Sequence, residues 1–366
     1  MVNSDRTGKL HIAIVGSIPS QRFQAASCLR SFYRCAEYAD TAQAMAGCRA
    51  IIPRLVLVSE KLSTSGGFNF VRMLQLDPVL ATIPVLMLVV RDDKATRDGV
   101  AQSGAKNYLV SPYSRRALIT TVSGLLNRRS EREWRTLHAV PRRALTGTLK
   151  LFNGIANSIG NNEPVPYQAV RDACEPLVEA VANNDFKGIL HAVRDYDDYT
   201  FTHSIRVATY LALFGVNLSL TKDEQVILAS GGLLHDVGKM SIPREVLNKA
   251  GPLDAAESAV MRGHVTASVE YLLACPDLPK GILDIAAQHH ERLDGTGYPL
   301  GLAGNQLNRL ARMASIIDVF GALTDRRVYK PPMAPEAALG IMVNEMASHL
   351  DMQLLGLFRQ MLLDAA

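Results

Sequence analysis

Between residues 10 and 127, short unbroken apolar runs alternate with stretches of helical period, and few folds accommodate that pattern. His11-Ile-Ala-Ile-Val15, Leu55-Val-Leu-Val58, Val85-Leu-Met-Leu-Val-Val90 and Asn107-Tyr-Leu-Val110 show almost no polar alternation, so each predicts a strand buried on both faces. Residues 20–33, 68–76, 94–102 and 115–126 repeat their apolar positions at roughly 3.6-residue spacing and predict helices. A strand that is apolar throughout needs cover on both sides, which helices linking parallel strands supply. The expectation is an α/β doubly wound domain over residues 8–127.

The pattern then changes. Arg128-Arg129-Ser-Glu-Arg-Glu-Trp-Arg135 and Pro141-Arg-Arg143 are basic but interrupted by acidic residues, which favours a solvated connecting helix over a nucleic-acid tail and makes 128–163 a helical connector. Asn161-Asn162-Glu-Pro-Val-Pro166 breaks the period, a helix resumes at 167–183, and nearly every later segment is helical with few β-branched runs. Residues 164–366 therefore predict an all-α domain, and 366 residues suit two domains that each bury a core.

Five cysteines, Cys28, Cys35, Cys48, Cys174 and Cys275, lie in apolar or helical stretches without CxxC spacing, the usage of reduced thiols in a cytoplasmic protein. No apolar run approaches the roughly 18 residues that cross a bilayer, so no membrane association is expected. A formal charge of +4 is too small to imply DNA binding.

The chemistry concentrates between His203 and Lys330. Of nine histidines, His203, His235, His264, His289 and His290 fall in this stretch, with an adjacent His235-Asp236 and an adjacent His289-His290. Imidazole and carboxylate without thiolate point to Fe, Mn, Ni or Zn. Neighbouring helix residues point about 100° apart, so His235 and Asp236 can grip one cation from two directions, or Asp236 can bridge two. Asp318 is a lone carboxylate among Ile316, Ile317, Val319 and Phe320, and a carboxylate buried without a cation would be costly. Seven candidate ligands exceed the needs of one tetrahedral metal, and two divalent metals sharing a carboxylate fit better.

Residues 8–127 resemble the response-regulator receiver domain. Pro53-Arg-Leu-Val-Leu-Val-Ser59 matches the strand that presents the phosphorylated Asp, Gly66-Gly67 the loop after it, and Gly104-Ala-Lys-Asn-Tyr-Leu-Val-Ser-Pro112 the last strand and its Lys-Pro turn. The departures all remove chemistry. Ser59 stands at the phosphoacceptor position, Gly16-Ser17 at the acidic Mg-binding pair, Val89 at the switch Ser/Thr and Ser111 at the Lys. Without these groups there is no acyl-phosphate nucleophile and no Mg site. The resemblance implies a pseudo-receiver that serves as a docking or homodimerisation module.

His235-Asp236-Val-Gly-Lys239 together with His289-His290-Glu-Arg-Leu-Asp-Gly-Thr-Gly-Tyr-Pro299 resembles the HD-GYP family, the branch of HD metal-dependent phosphohydrolases that hydrolyses cyclic di-GMP. The match runs over residues 167–335. It implies that His203, His235, Asp236, His264, His289, His290 and Asp318 hold metals, most often Fe or Mn. It also implies that Asp236 and Lys239 act at the scissile phosphate and that Arg327 and Lys330 hold phosphate oxygens. Gly297, Tyr298 and Pro299 would border the substrate and offer a surface to a signalling partner protein.

Three departures bear on this site. Tyr199 replaces the Glu that carries a third metal in some members, which favours two metals; Gly321 replaces a second Asp of the family's Asp-Val-Phe-Asp segment; Val265 replaces a frequent Pro. Two metals about 3.5–4 Å apart would favour deprotonation of a shared water, which attacks phosphorus in line with the departing ribose 3′-oxygen. The expected product is linear pGpG, and GMP on further cleavage. A second reading is a cyclic di-GMP sensor or scaffold that keeps the metals without turnover; a third is hydrolysis of a different cyclic dinucleotide.

Overall fold

A computed structural model describes residues 9–63, 66–161, 163–247, 249, 251–325 and 333–364. The chain divides into two compact units, with the break in the chain between Arg132 and Glu133.

The first unit runs β1 (His11–Val15), α1 (Pro19–Leu29), β2 (Arg34–Tyr38), α2 (Thr41–Ala50), β3 (Leu55–Ser59), α3 (Gly67–Leu76), β4 (Val85–Val89), α4 (Lys94–Ser103), β5 (Asn107–Val110) and α5 (Arg115–Trp134), whose last two residues belong to the second unit. All strand pairs are parallel, in the order β2-β1-β3-β4-β5, with Val15 opposite Val58, Val58 opposite Met87 and Val89 opposite Val110. That order is the flavodoxin-like doubly wound arrangement. Alternate residues serve opposite faces: Ala13, Val15, Val56, Val58 and Met87 pack with Phe70, Val71 and Leu74, while Ile12, Ile14, Leu55, Leu57 and Leu86 pack with Leu118, Val122 and Leu125.

The four predicted strands are all present. β2 and α2 escaped the sequence reading. β2 is an edge strand, half-buried along most of its length, and it carries Arg34 and Glu37, so no apolar run announces it. Asp40 caps α2 by accepting a hydrogen bond from the Gln43 N–H at 2.9 Å. α1 ends at Leu29, four residues before the predicted end.

The second unit continues with α6 (Ala139–Asn161), α7 (Tyr167–Ala182), α8 (Phe186–Val193), α9 (Tyr199–Asn217), α10 (Lys222–Leu234), a 3-10 turn (Val237–Ser241), α11 (Arg244–Leu247), α12 (Ala255–Arg262), α13 (His264–Leu273) and α14 (Lys280–Gln288). A short 3-10 turn (Gly304–Gln306), α15 (Arg309–Thr324), α16 (Pro335–Glu345) and α17 (Met352–Asp364) complete it. Among the described residues this unit has no strand, only one isolated bridge between Asp294 and Ala303.

α9 is the central helix. Phe201, His203, Ile205, Val207, Ala208, Leu211, Ala212 and Phe214 are all buried, covering most of its circumference. A helix apolar nearly all round has no solvent face to present and belongs in the interior. The stretch read as a connector is not free of this core. Trp134 is buried, stacks on Tyr196 at 5.1 Å and donates its indole N–H to the Ala192 carbonyl, while α6 contributes Leu145, Phe152 and Ile155. Among the described residues no helix is long and apolar enough to cross a membrane.

Candidate metal centre

Three of the imidazoles stand where helix ends leave carbonyls without partners. His235 follows the last residue of α10, His289 follows α14, and His264 opens α13 just after α12. The final carbonyls of a helix have no intrahelical donor. Here ring nitrogens supply one: Nδ1–H of His235 donates to Gly232 at 2.8 Å, that of His264 to Met261 at 2.6 Å and that of His289 to Ala286 at 3.0 Å. A carbonyl can only accept, so the proton is on Nδ1 and the Nε2 lone pair is presented on the far side of the ring.

α9 and α10 cross closely because residue 232 is glycine: a Cβ there would lie 2.7 Å from the Ala208 Cα. This crossing brings His203, inside α9, beside His235, with ring centroids 5.5 Å apart. Gly238 allows the turn after Asp236 to rest on α13, since a Cβ there would stand 2.1 Å from the His264 carbonyl oxygen.

Two carboxylates divide the assembled cluster. Asp236 Oδ2 lies 3.1 Å from His235 Nε2 and 3.9 Å from His203 Nε2, while its Oδ1 lies 3.1 Å from His264 Nε2 and 3.7 Å from His289 Nε2. Asp318 repeats the arrangement. Its Oδ1 is 2.8 Å from His203 Nε2 and 3.8 Å from His235 Nε2, and its Oδ2 is 3.7 Å from His290 Nδ1. Two overlapping ligand groups result, His203 with His235 and Asp236, and Asp236 with His264, His289 and His290.

These donors fit divalent cations. His235 Nε2, Asp236 Oδ1, His264 Nε2 and His289 Nε2 are buried and make no hydrogen bond. Each would cost about 1–3 kcal/mol left unpaired, and a cation that takes their lone pairs removes that cost. Burial tends to raise the Asp236 and Asp318 carboxyls, but Asp236 is held well below the usual carboxylate range by the charges of His235 and Lys239, and Asp318 by the neighbouring His203, His235 and His290 imidazoles. Burial pulls His289 and His290 down, which keeps them neutral. Burial also works against charge on His235, yet the Asp236 charge outweighs it and pushes that ring up to about 10. Metal ligation needs the neutral ring, so a cation binding there releases a proton.

Around the cluster, Lys239 on the turn after Asp236 forms an ion pair with Asp236 Oδ2. Tyr199 stacks on the His203 ring, with centroids 5.7 Å apart. Tyr298 stacks on His290 at 4.7 Å, with the Arg262 guanidinium 5.0 Å from the Tyr298 ring centre. A cleft beside the imidazoles is lined by His290, Tyr298, Ser315, Val319, Met346 and Leu350. Arg327 and Lys330 lie outside the described residues.

Three residues with clear roles in this geometry went unassigned in the sequence. Glu291, fully buried, accepts the Leu300 and Leu302 N–H groups at 2.7 and 3.0 Å and so pins the loop that carries Gly297, Tyr298 and Pro299. Gly297 approaches so closely that a Cβ would stand 2.4 Å from the Glu291 Cα. Asp325 and Arg206 form a second layer behind His203. Glu291 follows the His-His pair directly, which was the available signal; Arg206 and Asp325 carry no local signal.

In the first unit, Ser59 ends β3 and Gly16 follows β1 at the sheet's switch point, where a Cβ on Gly16 would lie 3.1 Å from the Ser59 Cβ. The Arg22 guanidinium donates to the Gly16 carbonyl, and Ser17 donates to Ser63 Oγ at 2.9 Å. Hydroxyls and a guanidinium gather where a receiver would gather carboxylates.

Comparison with known proteins agrees with this geometry. The HD domain family profile matches residues 180–354. The chain is 30% identical over 305 residues to the cyclic di-GMP phosphodiesterase response regulator RpfG of Xanthomonas campestris pv. campestris, covering 83% of this chain and 74% of that protein. It is 35% identical over 153 residues to 3′3′-cGAMP-specific phosphodiesterase 3 of Vibrio cholerae serotype O1, covering 42% of this chain and 33% of that protein. The structure of Bd1817, an HDG"Y"P protein from Bdellovibrio bacteriovorus, shares the fold, with a TM-score of 0.51 and 18% identity over 70% of this chain and 89% of that one. A parallel α/β unit of receiver topology, a helical unit with a divided His/Asp cluster, and kinship along most of the chain lead to one assignment: this chain belongs to the HD-GYP family of HD-domain phosphodiesterases.

Proposed function

We propose that this protein hydrolyses the phosphodiester bonds of a cyclic dinucleotide, cyclic di-GMP before others, at a two-metal centre, yielding pGpG and then GMP. One observation carries the reading: Asp236 and Asp318 each turn one oxygen toward His203 and His235, and the other toward the second group of histidines. His203 and His235 would hold one cation and His264, His289 and His290 the other, with Asp236 common to the two groups and Asp318 beside them. Fe and Mn are favoured, and Ni and Zn meet the same donor set. Tyr199 against His203 supplies no carboxylate for a third.

Bound divalent ions supply Lewis acidity, which eases deprotonation of water and withdraws charge from a phosphoryl group. The chain's own residues do the rest. Asp236 and Asp318, each facing both groups of imidazoles, would supply the anionic donors. Lys239, steered by Asp236, offers its ammonium to the phosphoryl oxygens as charge builds there, and a proton to the departing ribose 3′-oxygen. Tyr298 and the pinned loop form a wall of the cleft, and Arg327 and Lys330 are assigned to the phosphate oxygens. The receiver-like unit is assigned to docking a signalling partner or a second copy.

The test is turnover of cyclic di-GMP by anaerobically purified protein loaded with Fe(II) or Mn(II), with metal counted on the same sample. The expected outcome is pGpG formation with two metals per chain. His235→Ala combined with Asp236→Ala should lose both metal and turnover, by more than the roughly 10–100-fold that loss of a supporting hydrogen bond costs. Tight binding without product would make the protein a receptor, and faster cleavage of a mixed cyclic dinucleotide would reassign its substrate.

A further inference from the structure

His203 is held differently from the histidines at the helix ends. It lies inside α9, where main-chain carbonyls are committed to the helix, so side chains must set its ring. Nδ1 is 2.8 Å from Asp325 Oδ2, and Nε2 faces Asp318. Asp325, 5% exposed, caps α15, with its own N–H bonded to the Gly321 carbonyl at 2.7 Å. Its other oxygen, Oδ1, is 2.5 Å from Nε of Arg206, which sits three residues beyond His203 on the same helix. Residue 321 makes the arrangement sterically open: a Cβ there would lie 3.2 Å from His203 Cε1, 3.4 Å from Nδ1 and 3.7 Å from Asp325 Oδ2. A Cβ at 321 would press on the ring and stand in van der Waals contact with the carboxylate.

We propose that Asp325, clamped by Arg206 and admitted by Gly321, is the positioning residue of His203. It holds the proton on Nδ1 and turns the Nε2 lone pair toward the first cation. The proposal rests on the reading of the cluster as a metal centre, and it is independent of which nucleotide is cut. A carboxylate suits the task because one oxygen accepts the Nδ1–H while the other lies in ion-pair contact with Arg206, so the ring and the guanidinium are served together. An amide cannot serve both. With Arg206 drawing the amide oxygen, Asn at 325 would present its NH₂ to Nδ1, force the proton onto Nε2 and mask the ligand.

The experiment titrates metal-free full-length protein with Mn(II) alone, following affinity by calorimetry and fold by thermal unfolding. Asp325→Asn should weaken Mn(II) binding about 10–100-fold in a folded chain. Adding Arg206→Met frees the amide to turn its oxygen to Nδ1 and should recover most of the loss. Wild-type affinity in Asp325→Asn overturns the proposal, as does a loss that persists undiminished in the double variant. Should Asp325→Asn fail to fold, the double variant, which leaves neither charge unpaired, decides by the same criterion. A wild-type chain that binds no Mn(II) would instead overturn the metal-centre reading itself.

Discussion

At the scale of single residues, burial decides which groups react and which stay inert. His203, His235, His264 and His289 each present Nε2 to the cluster because their Nδ1 atoms are occupied by carbonyls or a carboxylate. Cys174 shows the opposite outcome. It is fully buried in the core of the helical unit, and burial pushes its thiol up to about 12. Folded and unfolded chains therefore bind this proton alike below the ordinary thiol value of 9.0. As pH rises from there toward 12 the unfolded state loses its proton first, so the fold loses stability over that window. Iodoacetamide applied to native protein near pH 8 should leave Cys174 unmodified and label it after unfolding, as read by peptide mass. Rapid labelling in the native state would contradict its placement.

At the scale of elements, the site depends on how closely two helices approach. α10 starts with a capping box, in which Thr221 accepts the Glu224 N–H and Glu224 accepts the Thr221 N–H. It ends by delivering His235 against α9, and the crossing has no room at residue 232. Gly232→Ala would favour the isolated helix by up to about 1 kcal/mol. The methyl nevertheless meets backbone at 2.7–2.8 Å and must push α9 away. Overpacking of this kind costs about 1–3 kcal/mol. The variant should unfold at lower denaturant concentration and carry less metal than wild type, because His203 and His235 move apart. A gain in stability with full metal content would show that the crossing is looser than described.

At the scale of the whole molecule, the two units differ in how much chemistry their folds retain. The helical unit keeps the whole His/Asp cluster, buried except at the half-buried His290. The parallel α/β unit keeps the doubly wound strand order with a core on each face, while Gly16, Ser17 and Ser59 stand at the switch point and Arg22 reaches the Gly16 carbonyl. Doubly wound sheets place their ligand sites there. Ser59 offers a hydroxyl, which cannot form an acyl phosphate. Incubation of the protein with acetyl phosphate and Mg²⁺ should leave its intact mass unchanged. A phosphate adduct on this unit would show that some other residue had taken over the acceptor role.

Much of this was legible before folding. Unbroken apolar runs specified the four inner strands, because a strand buried on both faces cannot alternate, and the spacing of His203, His235-Asp236, His264, His289-His290 and Asp318 marked one cluster. β2 was not legible, since an edge strand with Arg34 and Glu37 lacks that run. The second layer was not legible either. Asp325 lies 122 residues from His203, and nothing local to Arg206, Glu291 or Asp325 states what it touches. Sequence alone determined which ligand atoms the chain owns and which helices carry them, because residue type and helical period are local properties. Tertiary structure decided which carboxylate oxygen faces which imidazole, which nitrogen carries each proton and where glycine is obligatory, because those depend on distances between segments far apart in the chain.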